Sequence, residues 1–422
     1  MSSLGKTPSE ADLERWAVLI HASMSGRGRS YHTVEHVFQV NGGSDAIGSL
    51  AILFHDTVYC EVDGGLPRGL GPHLSDALYV DGDHVELGPF DPSDDPLRAL
   101  VARLFGFTPG QAVTFQTGLN ELASALLGAR ALRSHLSLPE LALVVACIEA
   151  TVPFRPLDAE ENLYGRLLEA DEEHGLGLDD AGVEAAVRRA VTVANRDVGN
   201  FAYDDAGAFL SHTWELIPET NPTLRMPAYT LGEYRLAMHK MAGFLRGLDA
   251  ERVFRVFRGQ PNGEELASLR ERAARNLARG ARYLRQKLLA ARVLEALASM
   301  TGGDAPVSLF MGDLPTSDSD TLRLEHLLPT PSVVAKDVDR EVFRLLTEGR
   351  SRESGFDLKT SPLASHLYGA LGDRASDDVL GRTSHAELLR ALPRPLLEQV
   401  ATSCCRIAVT RADGIRAVLD QL

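Results

Sequence analysis

Apolar residues recur at helical spacing along almost the whole chain. Leu13, Trp16, Ala17, Ile20 and Met24 share one face, and Thr7 or Ser9 ahead of Glu10, Asp12 and Glu14 supplies a capping signal. Asp45 opens the next helix, over residues 46–59. The same period predicts helices at about 94–106, 110–134 and 138–150, an acidic one at 161–175, and a strongly amphipathic one at 183–202. Asp179 and Asp180 suit the N-cap of this last helix, and Asp204 and Asp205 that of a helix over 206–218. Residues 229–248 and 251–259 read as helical too.

Residues 262–300 predict one long helix, with Leu266, Leu269, Ala273, Leu277, Ala281, Leu284 and Leu288 in a stripe. It is rich in Arg after Glu271, and the expected role of those stems is to cover an otherwise acidic protein. Composition shifts at 301–304. Residues 305–315 read as a strand and a turn, 317–332 as loop, and helices resume at about 336–348, 362–371, 383–391, 393–402 and 410–421. One other stretch breaks the helical period. Residues 61–93 are rich in Gly, Pro and Asp, and ALYVDGDHVELG alternates about an Asp-Gly hairpin turn. The expected fold is therefore all-α, with a mostly helical C-terminal extension containing little β. The expected domains are 1–260 with the 61–93 insertion, a connecting helix at 261–300, and 301–422.

A chain of 422 residues points to two or three domains. A net charge of −15 makes a nucleic-acid or anionic-membrane partner unlikely. There is no run of 18 apolar residues, no apolar signal core at the N-terminus, and four cysteines are too few for a disulfide framework. A cytoplasmic protein with no membrane span is the expectation, and a homo-oligomer is compatible with it.

Candidate chemistry concentrates in residues 29–63, which hold His32, His36, His55 and Asp56. Imidazole and carboxylate together suit Mn, Fe, Co, Zn or, less well, Mg. His32 and His36 lie one helical turn apart, while His55 and Asp56 diverge by about 100°. SLAILF buries the His-Asp pair, and either a metal ion or a tight mutual hydrogen-bond network must offset that burial.

These residues resemble the HD superfamily of metal-dependent phosphohydrolases, in its smaller branch. Arg29, Tyr31, His32 and His36 match R-x-Y-H-x-x-x-H. His55, Asp56, Val58 and Tyr59 match the His-Asp element. Asn120, Glu121, Ser124 and Ala125 match N-E-x-x-S-A, and 147–151 match an apolar helix ending in A-T. The resemblance covers about the first half of the chain. It implies an HD-type helical bundle with one divalent ion held by His36, His55, Asp56 and an Asp of a later helix. Asp197 fits best, because Ala190 and Val193 make its face apolar, whereas Asp171, Asp179, Asp180, Asp204 and Asp205 suit solvated or capping positions. Two departures stand out. Phe154 occupies the region where the family often places a histidine for a second ion. The segment between Tyr59 and Gly118 is also far longer than in the branch, and its Gly-rich part is expected to cover the site.

The function implied is hydrolysis of a small phosphorylated substrate, a nucleotide among the choices. Asp56, His32 and Glu121 would be catalytic, and Arg29 and Arg155 would bind substrate. The rivals are an HD-like sensor or assembly protein without turnover, and an iron-dependent oxygenase of the same fold. His73, Asp81, Asp83 and His84 are alternative ligands, although turn and surface roles suit them better.

Overall fold

The computed structural model describes residues 1–66, 69–81, 84–314, 321–329 and 334–422, the side chains of Pro72 and Asp81 apart. The described residues are all-α but for one two-stranded hairpin, and no helix among them is long and apolar enough to cross a membrane. The chain divides into two compact units, Met1–Ala202 with Asp249–Ala273, and Tyr203–Leu248 with Ala274–Leu422.

In the first unit the main helices are α1 (Glu10–Met24), α2 (Val34–Val40), α3 (Ala46–Phe54), α4 (Pro96–Phe105), α5 (Leu119–Leu132), α6 (Leu138–Ala150), α7 (Ala159–His174) and α8 (Asp180–Asp197). Caps mark the starts. Ser9 and Asp12 form a capping box on α1, and Asp45 and Asp179 accept the backbone N–H of Gly48 and Gly182. α6 is apolar on every side and nearly every residue from Leu141 to Ala150 is buried, so it forms the axis. α3, α4, α5, α7 and α8 pack around it.

α5 approaches α3 closely at Gly128, where a Cβ would lie 2.9 Å from Cγ of Phe54. Phe54 is the residue before the His-Asp pair, so this contact fixes the end of α3.

The predicted hairpin forms between β1 (Leu78–Asp81) and β2 (His84–Leu87), with Leu78 opposite Leu87. β2 also bonds to the segment before α5, through Val113 N–H to Val85 O (2.8 Å) and Leu87 N–H to Gln111 O (3.0 Å). That pairing, with Gly118 at φ 98°, is why the helix expected from about 110 starts only at Leu119. Buried Arg98 of α4 donates to the carbonyls of Asp76, Ala77 and Gly88 and holds the hairpin on the bundle. The hairpin tip, including Asp83, lies outside the described residues.

In the second unit, α9 (Ala206–Thr220) and α10 (Leu231–Gly247) pack on the part of α11 (Gly263–Met300) that follows Ala273, and α12 (Arg340–Glu348), α13 (Pro362–Leu380) and α14 (Arg394–Ile407) come after it. A Cβ on Gly280 of α11 would lie 2.9 Å from both Phe209 and Leu245. This close approach puts residues 203–248 with the later part of α11, where the sequence expectation put them in the first domain. The basic side of α11 pairs with acids ahead of and on the C-terminal helices: Arg279 with Glu341 and Arg282 with Asp339 at 2.8 Å, and Arg285 with Asp377 at 2.6 Å.

The expected strand after residue 304 is replaced by a helical turn, Val307–Met311. On either side of Pro306, which caps that turn, the Ala305 carbonyl accepts the Leu231 N–H and the Val307 N–H donates to the Tyr229 carbonyl. The helix expected over 251–259 is likewise reduced to Ala250–Val253, because Phe257 and Gln260 bridge to one another.

Gly128→Val forces three carbons against Phe54. It should destabilise the protein by about 1–3 kcal/mol in denaturant unfolding. A variant as stable as the parent would mean that the α3–α5 contact is not tight.

Candidate metal centre

Three helix ends deliver the centre. α2 carries His36, α3 ends directly before His55 and Asp56, and α8 ends at Asp197. The turn after α3 is held from two sides. Ser124 accepts the backbone N–H of Val58, and Asn120 accepts that of Cys60, both at 3.0 Å. Arg29, with its side chain wholly buried, supplies the other side. Its five donors reach Asp63 Oδ1 (3.1 Å) and Oδ2 (2.7 Å) and the carbonyls of His32 (3.3 Å), Asp56 (2.5 Å) and Thr57 (3.2 Å). A guanidinium has five N–H groups, so all of them are engaged within the protein. Arg29 thereby holds the turn that carries the His-Asp pair.

His36, His55, Asp56 and Asp197 converge, with one ligand atom from each within 4.8 Å of the others. Asp197 Oδ1 lies 3.2 Å from Nε2 of both histidines, and Asp56 Oδ2 lies 2.9 Å from His55 Nε2 and 3.8 Å from His36 Nε2. His55 Nδ1 is 2.8 Å from the Ile52 carbonyl. A proton donated there leaves Nε2 with its lone pair turned inward, as a metal-binding histidine requires. Asp56 Oδ2 is buried and has no hydrogen-bond partner, despite its nearness to Nε2. Lone pairs therefore face one another in a desolvated pocket. That is costly unless a proton or a cation sits between them. The donor set of two nitrogens and two oxygens fits a divalent transition ion.

Electrostatics agree with this. Burial opposes charge on His55, but the carboxylates of Asp56 and Asp197 prevail and hold its imidazole well above the ordinary value. Burial likewise opposes charge on the two acids, and the imidazole beside them prevails. Asp56 is held far below the usual carboxylate range and Asp197 falls to about 2.

The other expected site residues fall around this group. His32 packs edge-on against Tyr59 (4.4 Å) and Tyr31 (4.8 Å), and its charge helps to depress Asp56. Tyr59 also stacks on Phe115 at 6.3 Å, so the two ends of the long insertion meet beside His32. Glu121 is buried, its Oε2 lacks a partner, and burial, helped by the Asp56 charge, raises its carboxyl to about 7. Arg155 pairs with buried Glu149, which also binds Arg166, so two cations share one carboxylate. Phe154 has φ 55° and packs edge-on to Phe201. His84 pairs with Glu86 at the surface at 2.6 Å, and the His73 carbonyl accepts from Arg130.

Several contributors carry no local signal in the sequence. Asp63 is recognisable only through Arg29. Arg252 and Arg255 clamp the loop after α6 by donating to the carbonyls of Phe154 (2.7 Å), Val152 (3.0 Å) and Arg155 (3.2 Å), about 100 residues away.

Fold and site together define an all-α protein whose buried two-histidine, two-aspartate group can hold a metal ion. Comparison of the chain with family models, curated proteins and solved structures finds no match.

In the metal-free protein the raised His55 value contributes stability that is full below the ordinary histidine value, about 6.5, and fades as pH rises through the raised one. The depressed acids contribute above the ordinary carboxylate value, and Asp197 loses its share as pH falls toward about 2. A metal ion and the His55 proton compete for one lone pair. Zinc or cobalt affinity should therefore rise about tenfold per pH unit from about 6.5 up to the raised value. Chelator competition at several pH values measures this. His55→Ala combined with Asp56→Ala should abolish uptake. Affinity independent of pH, or full metal content in the double variant, would place the ion elsewhere.

Proposed function

We propose that this chain is a metal-dependent phosphohydrolase of the HD type, acting on a small phosphorylated molecule, with nucleotides the first class to test. The observation that carries the reading is the buried convergence of His36, His55, Asp56 and Asp197 around the orphaned Asp56 oxygen. One divalent ion per chain, of Mn, Fe, Co, Zn or Mg, would polarise a phosphoryl oxygen and lower the pKa of a bound water. Phe154 offers no ligand for a second.

The protein's own groups supply the rest. Asp56 can accept a proton from the attacking water. Glu121, with its carboxyl near 7, can take or give one at neutral pH. His32 faces Asp56 and contacts substrate or orients the ligands. The positive charge left over on Arg155 and Arg166 after pairing with Glu149 draws a phosphate toward the N-terminal end of α5.

The full engagement of Arg29 favours a second reading, an HD-like metal-binding sensor or assembly protein without turnover, since one expected phosphate contact is missing.

The test is phosphate release from nucleoside monophosphates and p-nitrophenyl phosphate by the manganese-loaded chain. His55→Ala with Asp56→Ala should lower turnover by at least about 10³-fold. Glu121→Gln should lower it by about 10²-fold and remove the pH limb nearest neutrality. Full metal occupancy with no phosphate release from any of these substrates would sink the hydrolase and leave the sensor.

A further inference from the structure

Within the second unit α10 and α11 run antiparallel, because Leu245 packs at Gly280 while Arg235, earlier on α10, pairs with Glu295, later on α11. Between them, and closed by the end of α13 and the segment after it, lies an open groove of about 620 Å³. No residue of the metal centre lines it. In steps of three or four residues, α10 contributes Arg235, His239, Ala242 and Arg246, and α11 contributes Arg282, Arg285, Leu288, Arg292 and Glu295. Five arginines thus line the groove with one carboxylate, on a chain whose net charge is −15.

Part of that positive charge is unanswered. Arg235 takes Glu295 at 2.8 Å. Two acids from outside the lining take one guanidinium each, Asp339 at Arg282 (2.8 Å) and Asp377 at Arg285 (2.6 Å). Glu387, beyond the rim, is answered by Arg382. Arg246 and Arg292 pair with no carboxylate among the described residues. Arg246 donates through Nε to the Ala242 carbonyl at 3.1 Å. Arg292 donates through Nη1 and Nη2 to the carbonyls of Leu380 (2.5 Å) and Arg382 (2.6 Å). Carbonyls are neutral, so these bonds aim the two guanidiniums without cancelling their charge. Among the described residues Nη1 and Nη2 of Arg246 have no acceptor, and the buried Nε of Arg285 has none.

The two uncancelled charges stand toward opposite ends of the groove. Arg246 follows Leu245, which sits at Gly280, whereas Arg292 lies beside the Arg235–Glu295 pair. Arg282 and Arg292 bound the intervening stretch of α11, about 15 Å along its axis. Charge is therefore spread along the groove, which suits a chain of linked anionic groups better than one compact anion. Guanidinium forks match phosphate oxygens in pairs, and the lining carries no lysine. The volume is that of a small-molecule site. We propose that the groove binds a short linear oligophosphate, either free or as the phosphate tail of a nucleotide.

Calorimetry on the full-length protein at about 0.15 M salt tests this with tripolyphosphate, ATP and orthophosphate. Tripolyphosphate and ATP should bind with Kd below about 0.1 mM, and orthophosphate at least about tenfold more weakly. Equal affinity for the two chains assigns the source to phosphate alone, and tighter ATP adds a contact from the nucleoside. Binding should be unchanged in the chain carrying His55→Ala and Asp56→Ala, where the metal centre cannot contribute. Arg246→Glu reverses an exposed charge and should weaken tripolyphosphate at least about tenfold. Arg416→Glu, the same change at an exposed arginine that does not line the groove, should bind like the parent. Arg292→Gln should weaken binding as Arg246→Glu does, and if it does not fold, Arg246→Glu decides. No binding of either chain at about 5 mM, ATP binding without tripolyphosphate, or orthophosphate as tight as tripolyphosphate overturns the proposal. So does equal weakening by Arg246→Glu and Arg416→Glu, or loss of binding with the metal ligands.

Discussion

One carboxylate, that of Asp197, ties the first unit together at its functional end. It stands on the last residue of α8 and meets His36 of α2 and His55 beyond α3, each at 3.2 Å. Hydrophobic packing brings α8 and α3 against α6, but packing alone does not dictate that three helix ends point at one another. The polar convergence does, because an Asp removed from water must find a cation or a donor. Without an ion, the partner is a protonated His55. The fold tolerates the site in that state only by holding an imidazole charged well above its ordinary range.

Around this centre the protein uses neutral backbone groups to fix charged ones. Arg29 is neutralised by Asp63 and directs its remaining donors at the carbonyls of His32, Asp56 and Thr57. Ser124 and Asn120 accept the next two free N–H groups along the same turn. The His-Asp pair thus sits on a short non-helical segment whose backbone groups are answered on both sides. Gly128 against Phe54 removes the remaining freedom of the helix that leads into it. Such support holds the ligands together and leaves a desolvated Asp56 oxygen facing His55 Nε2 at 2.9 Å.

What was legible in the sequence divides along physical lines. Helical period and caps are local, so the helix starts at Ser9, Asp45, Asp179 and Asp205 and the Asp-Gly hairpin could be read directly. The apolar face around Ala190 and Val193 is also local, and it singled out Asp197 among six acids. The use of Arg29 was not legible, since its role depends on Asp63, 34 residues away, and a lone Arg near a phosphate site reads equally well as a clamp. The short segments 111–113 and 305–307 were misread because their pairing partners are decided by tertiary packing, which overrides local propensity. The assignment of 203–248 to the second unit depended on Gly280, a glycine inside a helix whose meaning appears only when Phe209 and Leu245 are seen against it.

On the proposed reading, charge balance assigns Glu121 its part. Neutral His36 and His55 with ionised Asp56 and Asp197 give the ligand group a formal charge of about −2, which one divalent ion cancels. A further ionised carboxylate beside it would restore a buried negative charge. Burial and the Asp56 charge resist that and keep the Glu121 carboxyl near 7. A bound ion adds attraction and shifts the balance toward ionisation, while an arriving phosphate shifts it back. Glu121 is therefore the acid of the group whose proton is poised to move as ion and substrate come and go, whereas Asp56 and Asp197 are ionised at rest. That difference follows from position alone. The two aspartates touch imidazole, and Glu121 Oε2 touches no donor. Carboxyl groups of similar intrinsic acidity are thereby separated by their surroundings.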